Sequence, residues 1–227
     1  MDRGINMACD WSFLSSVISA ASGLGGVWLG GFLTWKREAD RESGRIKKES
    51  SYLAILVTAH LERFANDCVH VAFDDGSAYG RPASKDGQYY VPTVKTPTFD
   101  PLSFGVDWKV LPSDLMYEIL DLRYKNEQLI NEIDAKWEFA DPPEYTDFFW
   151  ARQYGYAELG LDVAKIAQRL REHVGITTPV KKEGQWDRDE ALREMMTRIS
   201  EERRAWEERC AAVPSPFSNN AEDPKES

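Results

Sequence analysis

The sequence predicts a mainly α protein, in which a single N-terminal transmembrane helix precedes a cytosolic bundle of three or four helices with an irregular, short-β insert. Three observations predict this fold. A stretch of 25 residues near the N-terminus carries no charge. Apolar residues recur at helical spacing in several later segments. A segment rich in Gly and Pro interrupts those segments, as expected of an irregular insert.

Length and composition exclude several classes of protein. The chain has 227 residues, of which 42% are hydrophobic and 12% aromatic, enough for a packed core and unlike a disordered chain. Its net charge of −10 disfavours nucleic acid as a partner, because phosphate binding needs clustered Lys and Arg. The three cysteines lie far apart, too few for a disulfide scaffold or a zinc site. We therefore expect reduced thiols and no nucleic-acid partner.

The uncharged stretch, WSFLSSVISAASGLGGVWLGGFLTW (11–35), predicts a membrane span. A helix of this length reaches about 37 Å, more than the ~30 Å hydrocarbon core of a bilayer. Trp11 and Trp35 stand at its two ends, and Lys36 and Arg37 follow, so these four residues are the predicted interface anchors. A secretion signal and a buried hairpin are the alternatives, but the N-terminal charges and the apolar length suit a signal poorly.

Small residues lie along one face of this stretch at steps of three and four. They are Ser15, Ser19, Ser22, Gly26, Gly30 and Thr34. Helices in lipid associate where small residues allow a close backbone approach, so the pattern predicts that the span self-associates into a homo-oligomer. The alternative is that Gly and Ser are merely tolerated in a span that does not pair.

The charges beside the span predict its orientation. One basic residue, Arg3, precedes it, whereas six follow between Lys36 and Lys48. The positive-inside bias therefore places residues 1–10 outside the cell and the C-terminal domain in the cytoplasm, with the span in the inner (plasma) membrane. Residues 36–50 are predicted to be a charged juxtamembrane helix that continues the span.

The cytoplasmic part, 51–212, is predicted to be the helical domain. Four segments have helical apolar spacing: 50–73, 111–139, 144–176 and 185–210. Short connections between such helices are typical of an antiparallel bundle. The last helix has only a narrow apolar stripe, so it should contact something on one side only. The tail, 213–227, is predicted to be disordered.

The insert, 74–112, separates the first of these helices from the second. Its first half is rich in turn residues, and strand-like residues at 88–99 are broken by Pro92 and Pro97. This pattern predicts an edge hairpin or an extended strap. Its aromatic residues predict that it folds back onto the helices, and they are Tyr79, Tyr89, Tyr90, Phe99, Phe104 and Trp108.

No motif for catalysis or for a cofactor is complete in the sequence. Asp67 and His70 are spaced three apart on a helix, with His60 earlier on it, and this acid–histidine pair is half of a di-iron pattern. His173 lacks the matching acid, so these residues remain weak metal candidates. There is no nucleophile elbow and no phosphate-binding glycine loop. We therefore predict a non-enzymatic protein with no metal and no cofactor.

These observations predict a membrane-anchored interaction or scaffold protein. Its expected partners are the lipid bilayer, a second copy of the chain and a cytosolic protein. The side chains that would contact the cytosolic partner are Leu192, Met196, Ile199 and Trp206. The same stripe could instead dock on its own bundle. Two other functions stay open: a pore-forming or toxin-like oligomer of the span, and a small-molecule or metal sensor, or an enzyme, with a pocket near His60, Asp67 and His70.

Overall fold

The structure is a computed structural model that describes residues 11–177 and 184–212, with side chains from Gly30 onward. Its described part is mainly α, with four helices and a two-stranded hairpin, as predicted. The elements are α1 (Trp11–Ala72), β1 (Ser77–Ala78), β2 (Arg81–Pro82), two 3-10 helices (Pro101–Phe104 and Trp108–Val110), α2 (Ser113–Glu138), α3 (Thr146–His173) and α4 (Arg188–Ala212). The predicted tail, 213–227, and the predicted extracellular segment, 1–10, lie outside the described residues.

Helix α1 runs without interruption from Trp11 to Ala72. The predicted span, the juxtamembrane helix and the first bundle helix are therefore one element. The charged segment stays helical because it lacks proline and its charges pair along the helix, as Arg45 does with Glu42 (2.6 Å) and Glu49 (3.6 Å). The chain divides into two compact units, residues 1–49 and 50–227.

In the first unit, every described side chain, from Gly30 to Glu49, is exposed. The exposed residues include large apolar ones: Phe32 (47%), Leu33 (45%) and Trp35 (68%). Within the part of the chain whose side chains are described, no helix is both long and apolar enough to cross a membrane. Residues 11–29, most of the predicted span, lie outside that part.

The second unit is a bundle of four packed helices around one core. The C-terminal part of α1 supplies buried residues at steps of three and four, and the other helices supply residues with the same spacing. Fully buried members include Val57, Leu61 and Cys68 of α1, Ile119 and Leu122 of α2, Tyr156, Val163 and Leu170 of α3, and Leu192 and Ile199 of α4. On the apolar face of α2, Trp137 near the end is 40% exposed and stacks on Tyr145, and Leu129 is partly buried. The other residues of this face are buried: Leu115, Ile119, Leu122 and Ile133.

Helix α3 lies in the middle of this bundle and contacts the three others. Gly160 allows its close approach to two of them, because a Cβ there would lie 3.0 Å from Leu192 Cδ1 of α4 and 3.2 Å from Cys68 Cβ of α1. On the side facing α2, a Cβ at Gly155 would meet the end of the Leu129 side chain. The glycines of α3 are therefore packing positions, despite their low helix propensity.

Residues 88–99 take the second of the two predicted forms, an extended strap rather than an edge hairpin. They contain no strand, because Pro92 and Pro97 lack the N–H groups that a ladder requires. The hairpin forms in the turn-rich stretch before them, where Ser77 pairs with Pro82. Its two-residue turn has positive φ at both Tyr79 (54°) and Gly80 (74°), the geometry of a type I′ turn.

The aromatic residues of the insert differ in burial. Phe99 is buried, and Tyr90, Phe104 and Trp108 pack partly buried against the core, so these four fold back onto the helices as predicted. Tyr79, at the tip of the hairpin, is fully exposed, and Tyr89 is 39% exposed. The prediction is therefore wrong for the hairpin tip.

We expect Gly160→Val to lower the free energy of unfolding by about 1–3 kcal/mol, because the added methyl groups overpack the contact with Leu192 and Cys68. Glu158→Val, on the exposed side of the same helix, is the matched control and should cost less than about 1 kcal/mol, the difference in helix propensity. Urea denaturation of both variants measures the difference. Equal losses would show that Gly160 is not a packing position.

Candidate functional site

A cleft of ≈ 600 Å³ separates α1 from the second half of the insert. Helix α1 forms one wall with His60, Arg63, Phe64, Asp67 and His70. The other wall is formed by the strap, which we define as residues 92–100, and by the 3-10 helix that follows it. The lining residues on that side are Val94, Lys95, Thr96, Pro97, Thr98, Phe99, Asp100, Ser103 and Phe104. The size is that of a small-molecule site.

Aromatic rings form a continuous surface in the cleft. Phe64 and Phe99 are buried and stack with ring centroids 5.0 Å apart. Phe104 meets Phe99 edge-on at 5.6 Å. The His60 ring lies 4.2 Å from that of Phe104 at an interplanar angle of 17°, so the two are stacked. The cleft therefore has an apolar floor and an exposed imidazole on its rim.

The charged residues of the cleft differ in their partners. Asp100 forms an ion pair with Arg123 (3.3 Å). Among the described residues, neither Arg63 nor Lys95 has a carboxylate partner, although both are exposed. Asp67 is half-buried on the α1 wall. The two walls thus each present an unpaired cation.

A buried ion pair fixes the start of the strap. The side chains of Asp74 and Arg152 are 1% and 3% exposed, and Arg152 Nη1 donates to Asp74 Oδ2 at 2.8 Å. The carboxylate also accepts from the N–H groups of Gly76 (3.1 Å), Thr93 (2.9 Å) and Val94 (2.9 Å), and from the Thr93 hydroxyl (2.7 Å). With five donors, the buried charge is fully satisfied.

Arg152 also binds the strap directly. Its Nη2 donates to the carbonyl of Val94 at 2.6 Å. The neighbouring Gln153 donates from Nε2 to the carbonyl of Asp74 at 3.1 Å. The end of α1, the strap and α3 are therefore joined by one hydrogen-bonded network.

A second buried anchor holds the strap three residues further on. Asn126 of α2 donates from Nδ2 to the carbonyl of Pro97 at 2.9 Å, and the Tyr156 hydroxyl donates to Asn126 Oδ1 at 3.3 Å. Burial raises the pKa of Tyr156, so its hydroxyl stays protonated and able to donate. Two independent anchors thus position the wall that carries Lys95.

The surroundings of Asp74 lower the pKa of its carboxyl group. Burial alone would raise its pKa, but the hydrogen bonds from Val94, Thr93 and Gly76 and the charge of Arg152 together lower the pKa below its ordinary value of 3.8. The carboxyl is therefore ionised wherever the protein is folded near neutral pH. Its role is structural, because every lone pair that could act on a substrate is already engaged.

The predicted metal candidates line one cleft without converging. His60 and His70 are ten residues apart on α1, so their positions are about 15 Å apart along the helix axis, far more than two ligands of one ion allow. Within residues 11–177 and 184–212, no group of three His, Cys, Asp or Glu is placed to hold a metal. Cys68 is fully buried in the core, which raises the pKa of its thiol and makes it unreactive.

The residues predicted to contact a partner divide between core and surface. Leu192 and Ile199 are fully buried in the bundle, so α4 docks on its own domain and these two offer no exposed contact. Met196 is partly buried. Trp206 is 44% exposed and lies edge-on to Trp150 at 6.3 Å.

Five of the ten predicted membrane residues lie outside the described side chains. These are Trp11, Ser15, Ser19, Ser22 and Gly26. Of the remaining ones, Trp35, Lys36 and Arg37 are exposed. The Thr34 hydroxyl donates to the carbonyl of Gly30 at 2.8 Å.

The sequence pattern predicts a pocket near His60, Asp67 and His70, and these three residues line the cleft. It does not identify Asp74 and Arg152, the buried pair that anchors the strap. A signal for Arg152 did exist, since it lies four residues after Phe148 and four before Tyr156, both of which are buried. An arginine at that spacing faces the core and requires a carboxylate there.

Comparison of the chain with protein-family models, with curated proteins and with solved structures gives no match.

We expect Asp74→Asn to lower the free energy of unfolding by about 3–5 kcal/mol, because it leaves Arg152 as a buried charge without its partner. The control is Asp75→Asn, since Asp75 is exposed and accepts only from the Ser77 N–H (2.9 Å). That change should cost about 1 kcal/mol or less. Chemical denaturation of both variants measures the effect.

The pH dependence tests the cause of that loss. A carboxyl whose folded pKa is lowered contributes stability that is present above its unfolded pKa and is lost as the pH falls through the folded value. The contribution of Asp74 should therefore fade below about pH 4. Between pH 5 and pH 2, the stability of Asp74→Asn should fall less steeply than that of the unaltered protein. Parallel curves would contradict the assignment.

Proposed function

We propose that this chain is a single-pass membrane-anchored interaction protein. Residues 11–35 form the span, and residues 50–212 form a cytoplasmic helical body that binds a partner. The observation that carries this proposal is the exposure of Phe32, Leu33 and Trp35 directly before Lys36 and Arg37.

Exposed apolar side chains at this position favour a lipid environment. Each Å² of apolar surface left in water costs about 25 cal/mol. The core of the body draws on residues from Leu53 onward, and none of residues 30–49 contributes to it. The end of the uncharged stretch, residues 30–35, is therefore left outside the described core, and a bilayer would cover it. A tryptophan followed by two basic residues suits the headgroup boundary.

Self-association of the span is supported by the small-residue face. The Thr34 hydroxyl is satisfied by the Gly30 carbonyl within the helix, so it does not oppose burial in lipid. Among the residues whose side chains are described, none lies within 4 Å of a Cβ placed at Gly30 or Gly31. A second copy of the helix could approach closely there.

The cleft favours a second candidate function, a small-molecule sensor. What supports the sensor over the pore-forming oligomer is the cleft itself, which has aromatic and cationic groups on its two walls. The two functions are compatible, because a membrane anchor and a ligand site use different residues.

The membrane anchor is tested by extraction from cell membranes. We expect the full chain to stay in the membrane fraction at high salt and in carbonate, and to be released by detergent. The double variant Leu24→Arg, Val27→Arg should be extracted by carbonate, because each arginine costs about 3 kcal/mol at the centre of a span. Gly44→Arg, beyond the span, is the control and should stay bound. Extraction of the unaltered chain by carbonate would refute the anchor.

The orientation is read by labelling cysteines in intact cells with a membrane-impermeant maleimide. Cys9 should label before permeabilisation and Cys210, which is exposed, only afterwards. Buried Cys68 should label only after denaturation and serves as an internal reference. Labelling of Cys210 in intact cells would reverse the orientation.

Self-association is tested by two neighbouring glycines. Gly30→Leu should reduce cross-linking between copies in detergent or membranes by about tenfold, because its side chain separates the helices at the small-residue face. Gly31→Leu places the same side chain about 100° around the helix and should have little effect. Equal cross-linking of the two variants would mean that this face does not form the contact.

A further inference from the structure

We propose that the cleft between α1 and the strap binds a small soluble organic phosphate that carries a planar ring, of which a nucleoside monophosphate is the representative. The inference does not depend on the membrane anchor, because the residues that line the cleft lie between His60 and Phe104 and those that hold its walls lie further along the chain. A failure of one proposal therefore leaves the other standing.

Two cations on opposite walls provide the phosphate site. Arg63 projects from α1 and Lys95 from the strap, and both line the cleft. In the described part of the chain neither has a carboxylate partner, although the other ion pairs of the body show that acidic residues are abundant. Guanidinium and ammonium groups are the side chains that bind phosphate best, one as a planar fork and the other as a point charge.

The stacked pair of His60 and Phe104 provides the site for a ring. The His60 side chain is exposed and lies parallel to Phe104, which is itself supported by Phe99. A planar heterocycle can continue such a stack, and stacking of a nucleobase on an aromatic side chain typically strengthens binding by tenfold or more. An aliphatic ligand would gain nothing comparable from this geometry.

The acidic residues narrow the class of ligand further. Asp100 is neutralised by Arg123, so it does not oppose an anion. Asp67 remains as a half-buried acceptor on the same wall as Arg63. It would repel bare phosphate and polyphosphate chains, but it can accept hydrogen bonds from a sugar hydroxyl or a ring amine. This combination suits one phosphate attached to a larger polar body.

The strap that forms one wall of the cleft is held in place by hydrogen bonds from two helices. The strap is held at Thr93 and Val94 by the Asp74–Arg152 network and at Pro97 by Asn126. Lys95 lies between these two anchors. A wall that is fixed before binding loses little conformational entropy on binding, which favours affinity for a small ligand.

Isothermal titration calorimetry on the full chain in detergent micelles tests the proposal. The probes are the four common ribonucleoside 5′-monophosphates, their nucleosides, inorganic phosphate and glycerol 3-phosphate. At least one monophosphate should bind with a Kd below about 1 mM, and its nucleoside and inorganic phosphate should bind at least about tenfold more weakly. Glycerol 3-phosphate carries the phosphate of a lipid headgroup but no ring. If it binds as tightly as the nucleotides, the ring assignment is overturned.

Matched variants test the residues. Arg63→Met and Lys95→Met should each weaken nucleotide binding by about tenfold, since each removes one charge-assisted contact. Arg81→Met and Lys85→Met remove exposed cations of the same insert outside the cleft and should leave binding unchanged. Phe104→Leu should weaken nucleotides but not glycerol 3-phosphate. The proposal is overturned if no monophosphate binds at about 1 mM, or if the cleft variants behave like their controls.

Discussion

The buried ion pair between Asp74 and Arg152 is the interaction on which the strap, and with it one wall of the cleft, depends. Burying two charges is costly, and the cost is offset only when their remaining hydrogen-bonding groups are also satisfied. Here the carboxylate accepts from the strap and the guanidinium donates to it, so the strap supplies what the pair needs. The pair and the strap therefore stabilise each other, and the hydrogen bonds between them hold this wall of the cleft in place.

Helix α1 carries three different kinds of side-chain surface along one continuous backbone. Residues 11–35 carry no charge, every described side chain from Gly30 to Glu49 is exposed, and from Leu53 onward the helix is part of a core. No break is needed between these regions because helical hydrogen bonds are local and do not depend on what surrounds the side chains. The side chains alone determine what covers each region, and Arg63 and His60 belong to the last of them.

The local spacing of apolar residues predicted the helices. It did not predict the buried ion pair, because that pair joins residues far apart in the sequence. Leu115, Ile119 and Leu122 are spaced four and three residues apart, so they lie on one face of a helix independently of its tertiary contacts. The partner of Asp74, in contrast, lies 78 residues further along, and its neighbours explain only a turn. The hairpin at 77–82 was not predicted for a different, local reason: its turn requires positive φ at Tyr79, which a non-glycine residue rarely adopts.

The adjacent residues Glu62 and Arg63 show how the body leaves a cation available. Glu62 accepts from Arg171 of α3 and from Arg188 at the start of α4, each at 2.6 Å. Burial would raise the pKa of Glu62, but these two arginines lower it, so its charge is retained and used between helices. Arg63 faces away from this pair and lines the cleft. Residues 51–227 carry a net charge of −11. Acidic side chains are therefore in excess, and Arg63 is without a carboxylate partner among the described residues because none of them lies within ion-pair distance of it. On such an acidic surface, a long polyanion would be repelled outside the cleft, whereas a small anion fits within the local field of Arg63 and Lys95.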